Sequence, residues 1–334
     1  MSKVKVAILG CGGMAGAHAR RLKSNPDVEI AALCDVDEAC LTRFVERHLA
    51  DYEPRPPFFT DPAKMYAEVK PDAVVIVTPH TLHFEHGMQA LQAGCHVLME
   101  KPMVTDSDQA HRLAAEVEKA GKIFTIGYNT PCTPEFKYLR DLIRKKELGR
   151  LETISGWLSQ NWKRGTTGTW RQDPKLSGGG QMYDSGAHLF NSLVWLVEQP
   201  ISEVFAFVDN MGTPVDINGT ANIRFADGTL ATIMISGNCP NDGAGLTLCF
   251  DGGRVEVDGW SGAWIKVFKP GQGEVKYPPI PGKAETPNDN FIDAVLGRAE
   301  PQTSPVNGVN QSELMDAIYE SARTGQIARP HSRR

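Results

Sequence analysis

Short apolar segments alternate with amphipathic segments along the first part of the chain. Apolar residues recur at helical spacing in residues 14–24, 38–48, 82–93 and 107–120. The segments between them are rich in Val and Ile and are expected to form strands buried on both faces: residues 4–9, 28–34, 73–77, 96–99 and 123–126. This alternation predicts an α/β domain with a doubly wound parallel sheet of the Rossmann type.

The pattern changes after Gly127. A helix is expected over residues 133–146, a strand over 151–160, and a second helix beginning near Gly180. Short strands then follow one another, with Asp227-Gly228 and Gly252-Gly253 as hairpin turns: residues 204–208, 219–225, 229–235, 246–250, 254–257 and 264–268. An α+β domain with an open, mostly antiparallel sheet is therefore predicted.

Two domains follow from these patterns, one of the dinucleotide-binding type over residues 1–126 and an α+β domain over residues 127–334. Two C-terminal helices are expected near residues 288–296 and 307–324. The sequence leaves open which domain they cover, and the last helix is a candidate for packing back on the first domain.

Charge and composition restrict the possible partners. The 334 residues include 35 Lys and Arg against 40 Asp and Glu, a net charge of −5, which gives no basic surface for nucleic acid or an anionic membrane. The apolar segments are too short for a membrane helix or a signal peptide. The seven cysteines are scattered without metal-binding spacing, so neither disulfides nor a metal site is expected. We expect a cytoplasmic protein with a small-molecule partner.

A glycine-rich turn links the first predicted strand to the first helix. Its glycines, with Ala15, follow the G-x-G-x-x-G/A pattern that lets a backbone approach a pyrophosphate at a helix N-terminus. Asp35 ends the second strand, where an acid accepts hydrogen bonds from the adenine ribose. The next residue is Val36 and not arginine, which favours NAD over NADP. The candidate cofactor-binding residues here are Gly10, Cys11, Gly12, Gly13, Met14 and Asp35.

Two further strands end in residues that face the expected binding crevice, because ligands bind at the carboxyl ends of parallel strands. One end is Thr78-Pro79-His80 and the other is Glu100-Lys101-Pro102. A lysine in a loop is ordinarily a surface residue, but the position of Lys101 between a buried strand and a proline favours a function.

In the second domain, Asp184 and His188 follow the glycine triplet 178–180 at a spacing of four. On a helix they would share one face, as an acid–base pair does. From the spacing alone, a capping aspartate and a surface histidine are the simpler interpretation.

Taken together, these motifs resemble the glucose-fructose oxidoreductase, inositol dehydrogenase and rhizopine-catabolism (Gfo/Idh/MocA) family. The resemblance covers the whole chain and adds His83, the pair Trp170-Arg171 and residues 319–322 to the motifs above. It implies a Rossmann domain, an open-sheet domain, a nicotinamide cofactor between them, and oxidation or reduction of a sugar, inositol or related polyol. His83, Thr78, Pro79, His80, Glu100 and Lys101 join the cofactor-binding candidates.

The resemblance also implies catalytic roles. Lys101 would hydrogen-bond the reacting hydroxyl, and its peptide with Pro102 would be cis. His188 would exchange the alcohol proton, with Asp184 orienting it or binding a neighbouring hydroxyl; an imidazole suits proton transfer near neutral pH. Many relatives have an aspartate three residues after the histidine, whereas this chain has Asn191.

Aromatic and basic residues in the loop 160–172 are further candidates, because aromatic rings stack on sugar faces and arginine binds carboxylates. The sequence is compatible with two interpretations of Lys163 and Arg164: they bind an acidic or phosphorylated sugar, or they are solvated side chains of a positively charged loop. The substrate-binding candidates are Asn129, Trp162, Trp170, Arg171, Asp184 and His188.

Two alternatives share this fold. The first is a glycoside hydrolase that oxidises a sugar carbon transiently, eliminates the aglycone, adds water and returns the hydride. It would need a base for the elimination, for which Tyr183, His188 or a residue of the tryptophan loop 160–172 is available. The second is a dinucleotide sensor, which would need none of the catalytic residues. The second-domain strands are apolar on both faces, with Ile223 and Phe225 on one side and Leu230 and Met234 on the other. This predicts a homodimer or homotetramer formed through that sheet.

Overall fold

A computed structural model describes residues 3–276, 280 and 282–330. The chain forms two units, each with its own core. The first consists of the chain up to Val104, Asp108–Gly127 and Glu285–Val306, and the second of Thr105–Ser107, Tyr128–Ala284 and the chain from Asn307 onward.

The first unit is built around a six-stranded parallel sheet, with the strand order β3-β2-β1-β4-β5-β6. Its strands are β1 (Val4–Leu9), β2 (Val28–Cys34), β3 (Phe58–Phe59), β4 (Ala73–Ile76), β5 (His96–Met99) and β6 (Phe124–Ile126). The helices between them are α1 (Ala15–Ser24), α2 (Glu38–His48), α3 (Pro62–Val69), α4 (His83–Gln92) and α5 (Ser107–Ala120). The predicted doubly wound sheet is confirmed.

The register of this sheet brings the strand ends together. Leu9 pairs with Cys34 on one side and with Ile76 on the other, and Ile76 pairs with Met99. The residues that follow these strands therefore lie along one edge of the sheet, where ligands bind in open α/β folds.

The second unit contains an eight-stranded sheet with the order β14-β13-β12-β11-β7-β10-β9-β8, in which only the β7–β10 pair among the described strands is parallel. Its strands are β7 (Leu151–Ser159), β8 (Ile201–Asp209), β9 (Asn218–Phe225), β10 (Leu230–Ser236), β11 (Gly243–Phe250), β12 (Gly253–Asp258), β13 (Ile265–Lys269) and β14 (Gly273–Val275). The remaining helices are α6 (Pro134–Arg144), α7 (Trp162–Gly165), α8 (Pro174–Ser177), α9 (Gly186–Val197), α10 (Pro287–Val295) and α11 (Pro305–Thr324). The mostly antiparallel sheet and the hairpin turn at Asp227-Gly228 are confirmed. The other hairpin turn lies at Asp251-Gly252, one residue earlier than predicted, because Gly253 already pairs with Phe250.

The two faces of this sheet differ in exposure. Ile223 and Ile233 point into a core that also contains α9, whose residues are buried along its whole length. On the opposite face, Phe207, Leu230 and Met234 are exposed. The period of two along the strands produces this division.

The two C-terminal helices, whose packing the sequence left open, contribute to different cores. Phe291 and Ile292 of α10 belong to the core of the first unit. Leu314 and Ile318 of α11 lie four residues apart on one helix face and are buried in the core of the second unit. Helix α10 therefore contributes to the core of the first unit, and α11 to that of the second.

Among the described residues, no helix is long and apolar enough to cross a membrane. Within the same part of the chain, no group of three or more His, Cys, Asp or Glu side chains is placed to hold a metal ion.

Candidate active site

The glycine-rich turn is shaped by contacts that exclude side chains at one position and by open space at two others. Gly10 has a φ of +89°, and a Cβ there would lie 2.8 Å from the carbonyl carbon and oxygen of Val77. At Gly12 and Gly13 a Cβ would meet no described atom within 4 Å. Helix α1 begins directly afterwards, and the side chain of Met14 does not cap it. The surroundings of Gly12 and Gly13 are thus unobstructed next to the N-terminus of α1, where the positive end of the helix dipole favours a pyrophosphate.

Asp35 is hydrogen-bonded to this turn. Its Oδ2 accepts a hydrogen bond of 2.8 Å from the amide of Cys11, and its Oδ1 accepts one of 3.0 Å from the amide of Asp37. Because each carboxylate oxygen has two lone pairs, both retain capacity for ribose hydroxyls. Burial, followed by the nearby charge of Asp35, raises the pKa of the Cys11 thiol, which stays neutral. The residues present therefore fit a dinucleotide.

Lys101 lies between two residues that buried histidines hold in place. Nε2 of His18, on α1, is 2.8 Å from Oε1 of Glu100, whose Oε2 accepts a 3.1 Å hydrogen bond from the Lys101 amide. Nδ1 of His83, on α4, is 2.7 Å from the carbonyl oxygen of Pro102. The Lys101–Pro102 peptide is cis, as the resemblance implied. The backbone of Lys101 is thereby fixed from both sides.

The electrostatics of these two contacts differ. Burial alone would raise the pKa of Glu100, but hydrogen bonding and charge from His18, with the nearby Lys101, lower it to about 2. Burial lowers the pKa of His83, whose Nε2 is also 2.9 Å from the carbonyl oxygen of Thr78. Glu100 is thus an ionised carboxylate inside the domain. The two ring nitrogens of His83 face the carbonyl oxygens of Thr78 and Pro102, and a neutral imidazole donates a hydrogen bond to one of them, whereas a protonated one donates to both.

The structure places the other predicted cofactor residues along the same edge of the sheet. Thr78 and Pro79 are half-buried, and Oγ1 of Thr78 is 3.0 Å from Nδ1 of His86. His80 is buried with His83 and Glu100. The positions of Glu100, His80 and His83 inside the domain suit residues that support the loops, and their direct contact with a cofactor stays a prediction.

In the second unit, His188 is the third residue of α9 and is buried between two aromatic rings. The ring of Tyr128 meets it edge-on at 5.7 Å, and the ring of Trp260 lies 4.6 Å away at 51°. The hydroxyl of Tyr128 donates to Oε1 of Gln311. Packing and this hydrogen bond hold the imidazole in a defined orientation.

Asp184 is the centre of a second cluster. Its Oδ2 accepts hydrogen bonds from Nε1 of Trp162 at 2.8 Å and from Nε of Arg171 at 3.0 Å. The Arg171 guanidinium also lies 4.5 Å above the ring of Trp170. The structure therefore brings the three predicted loop residues to the predicted carboxylate, and two of them bind it directly.

The turn that carries Asp184 is not helical, although a helix was expected from about Gly180. The amides of Gly180 and Met182 each donate a 2.7 Å hydrogen bond to the carboxylate of Asp216, which also accepts one from the hydroxyl of Tyr319. Helix α9 begins only at Gly186. The predicted helix is present, but it starts six residues later than expected, so Asp184 precedes the helix that carries His188 and the two do not share a helix face.

Three further predicted residues can now be placed. Asn129 is half-buried just after β6. Asn191 is fully buried in α9, and neither amide atom of its side chain has a hydrogen-bond partner among the described residues. Tyr183 is buried and stacks on Tyr319 at 5.9 Å, and burial raises the pKa of its hydroxyl well above the ordinary value. Tyr183 is therefore poorly suited to act as a base near neutral pH.

Sequence reasoning did not identify Tyr128, Trp260 or Asp216. Tyr128 stands beside the candidate Asn129 at the end of a strand, a position that could have indicated it. Trp260 and Asp216 lie in irregular segments, where neither periodicity nor a motif distinguishes them.

Comparison with known proteins assigns the family. Residues 4–128 match the model of the oxidoreductase family with an NAD-binding Rossmann fold, and residues 136–264 match that of the GFO/IDH/MocA C-terminal domain. The chain belongs to the Gfo/Idh/MocA family. Its first unit carries the NAD-binding Rossmann domain of this family.

Similar proteins include several named dehydrogenases of the Gfo/Idh/MocA family. D-glucoside 3-dehydrogenase of Escherichia coli (strain K12) is 29% identical over 203 residues, which are 60% of this chain and 55% of that protein. Inositol 2-dehydrogenase of Rubrobacter xylanophilus is 25% identical over 276 residues, 79% of this chain and 74% of that protein. The structure of GenD2 from gentamicin A biosynthesis in complex with NAD is 25% identical and superposes with a TM-score of 0.84, covering 98% of this chain and 97% of that one. The match with D-glucoside 3-dehydrogenase spans little more than half the length of that protein.

Proposed function

We propose that the protein is an NAD-dependent oxidoreductase that interconverts a hydroxyl and a carbonyl group on a sugar, inositol or related polyol. The observation that carries the proposal is the buried imidazole of His188, held by Tyr128 and Trp260 in the same unit as a carboxylate bound by Trp162 and Arg171. The names of the glucoside and inositol dehydrogenases among its relatives support this substrate class.

Each residue has a defined task in this proposal. Bound NAD supplies the hydride acceptor. An imidazole nitrogen of His188 takes the proton of the substrate hydroxyl during oxidation and returns it during reduction. The ammonium of Lys101 stabilises negative charge that develops on a substrate oxygen. Asp184, already neutralised in part by Arg171, orients His188 or accepts a hydrogen bond from a neighbouring substrate hydroxyl.

The cofactor preference follows from Asp35. Its carboxylate is fixed at the glycine-rich turn by the Cys11 amide, and the adjacent Val36 is 91% exposed and uncharged. A 2′-phosphate near Asp35 would meet like charge, whereas ribose hydroxyls would find acceptors. We therefore propose NAD and not NADP.

We also propose that the exposed apolar face of the second-unit sheet joins two or more copies of the chain. Phe207 is 63% exposed, and Leu230 and Met234 lie on the same side of the sheet. Apolar patches of this kind are usually covered by a partner.

The catalytic roles are tested with Lys101→Ala and His188→Ala. We expect kcat to fall by roughly 10²- to 10⁴-fold in each, because proton transfer and charge stabilisation contribute on that scale. The dissociation constant for NAD, measured by calorimetry, should change by less than about threefold, roughly 0.6 kcal/mol. Lys266→Ala, an exposed residue of β13, serves as the control. Near-native turnover in either catalytic variant would contradict the assignment.

A further inference from the structure

A second buried carboxylate lies in the same unit as Asp184 and does not belong to the proposed acid–base pair. Asp216 is 2% exposed. Its Oδ1 accepts hydrogen bonds from the amide of Gly180 at 2.7 Å and from the hydroxyl of Tyr319, and its Oδ2 accepts one of 2.7 Å from the amide of Met182. Burial raises the pKa of Asp216, although these hydrogen bonds oppose that effect. A buried carboxyl group is costly unless donors compensate it, so three donors on one side chain mark a fixed point of this unit.

The turn that Asp216 binds leads by hydrogen bonds to Asp184 and to helix α9. The carbonyl oxygen of Gly180 accepts a 2.9 Å hydrogen bond from the amide of Asp184. The amide of Gln181 donates a 2.9 Å hydrogen bond to the carbonyl oxygen of Asp216, and the carbonyl oxygen of Gln181 accepts one of 2.8 Å from the amide of Gly186, the first residue of α9. Asp216 is therefore linked through one residue of the turn to the backbone of Asp184, and through another to the start of α9.

The chain neighbours of Asp216 reach the side chain of Asp184 by a second route. Val215 and Ile217 are buried and pack with Trp162 in a small apolar cluster. Nε1 of Trp162 donates its 2.8 Å hydrogen bond to Oδ2 of Asp184. Three consecutive residues thus support both the backbone and the side chain of the same aspartate.

The turn and Asp216 are in close contact. A Cβ at Gly180 would lie 1.9 Å from the carbonyl oxygen of Asp216 and 2.7 Å from its amide nitrogen. Only glycine therefore allows the backbone of this turn to approach Asp216 closely enough for the hydrogen bonds described above. Because all these contacts are made within the protein, the position of Asp184 is set before any ligand binds.

We propose that Asp216 is a positioning residue of the active site, whose carboxylate holds the turn 180–182 so that the carboxylate of Asp184 meets Trp162 and Arg171. Catalysis depends on placing groups to within about 0.5 Å, and a misplacement of about 1 Å costs on the order of 10²-fold in rate. Loss of the Asp216 carboxylate therefore lowers turnover through Asp184. This inference rests on the proposed function and adds to it a residue that the substrate does not contact.

The test compares Asp216→Asn with wild type at saturating NAD, with myo-inositol and methyl glucopyranoside as probes. The new amide has the shape of the carboxylate, but its NH₂ group faces a backbone N–H in either orientation, so a hydrogen bond of the turn is lost. For the probe that the wild type oxidises, we expect kcat to fall by about 10- to 100-fold. The dissociation constant for NAD, measured by calorimetry, should change by less than about threefold. Leu248→Ala, which shortens a buried side chain of β11 in the core of the same unit, is the control for lost stability. It should lower the melting temperature without a comparable fall in kcat.

The indole N–H of Trp162 reports on the position of Asp184 without any substrate. Its proton signal in heteronuclear NMR spectra, assigned by its loss in Trp162→Phe, is shifted by the hydrogen bond to the carboxylate of Asp184. We expect this signal to move in Asp216→Asn and to keep its position in Leu248→Ala. Tyr319→Phe removes a single donor from Asp216 and replaces Asp216→Asn if that variant does not fold. It should move the same signal and lower kcat by about three- to tenfold.

Either of two results would overturn the inference: a kcat of Asp216→Asn as high as that of Leu248→Ala, or a Trp162 signal that stays in place. If Asp216→Asn does not fold, the same two results for Tyr319→Phe overturn it. Failure of the proposed function is distinguishable, because the wild type would then reduce NAD with neither probe. In that case the Trp162 signal alone decides: its movement in the variant supports the positioning role, and an unchanged signal contradicts it.

Discussion

Glu100→Gln removes a buried charge that supports Lys101. The substitution keeps the shape of the side chain but replaces the ionised partner of His18 with an amide. Both residues are buried, so the remaining histidine would lose its charged partner inside the domain. Breaking a buried pair by removing one partner is destabilising for this reason.

The pKa of Glu100 sets the magnitude. Its fall from 4.5 to about 2 in the folded protein corresponds to about 3 kcal/mol of stability. Because the folded-state pKa is depressed, this contribution is fully present above the unfolded-state value and is lost as the pH falls through 4.5 towards 2. We therefore expect Glu100→Gln to destabilise the protein by about 3 kcal/mol near pH 7 and by progressively less in acid.

Urea unfolding across this pH range measures the difference. Glu116→Gln, which removes a surface ion pair with Lys119 in the same unit, is the control and should cost less than about 1 kcal/mol. A Glu100→Gln effect below about 1 kcal/mol, or one that does not shrink as the pH falls, would refute the reasoning.

Three further predictions concern the glycine-rich turn, the cofactor and assembly. Gly10→Ala should destabilise the protein by about 2 kcal/mol or more, because Gly10 has a positive φ and a Cβ there would contact Val77. Gly12→Ala should leave the melting temperature unchanged and weaken NAD binding. Equal melting temperatures for the two variants would contradict this prediction. Asp35→Ala should reduce the ratio of the dissociation constants for NADP and NAD, measured by calorimetry, by about tenfold. An unchanged ratio would show that Asp35 does not discriminate between the two cofactors. Light scattering after size exclusion should find a dimer or tetramer that Met234→Lys dissociates, and a wild-type monomer at every concentration would exclude the proposed interface.

Local signals were sufficient for much of the first unit. The predicted bounds of α2 and β1 agree with the structure, because Asp37 caps the helix and apolar Val and Ile residues fill the strand. The sequence prediction omitted β3 and α3. The strand has only two residues, too few for a period, although Asp61 followed by Pro62 is a helix-start signal that was present.

Tertiary contacts determined what the sequence could not predict. The sequence of the turn before α9 predicts the start of a helix. In the structure, the amide of Gly180 in this turn binds the carboxylate of Asp216, 36 residues further along the chain. The family resemblance, and not the spacing, indicated roles for Asp184 and His188, and the partners of Asp184 come from a loop whose path no periodicity fixes. Trp260 reaches His188 in the same way, through a turn held by Asp258.

The most direct test of the proposed function follows NADH absorbance in the purified protein with added NAD and a panel of sugars, inositols, acidic sugars and aryl glycosides, while glycoside cleavage is measured in parallel. The account predicts net NADH formation in step with consumption of a sugar, inositol or related polyol. Glycoside cleavage without net NADH would contradict it and indicate the hydrolytic alternative, in which NAD is regenerated in every cycle.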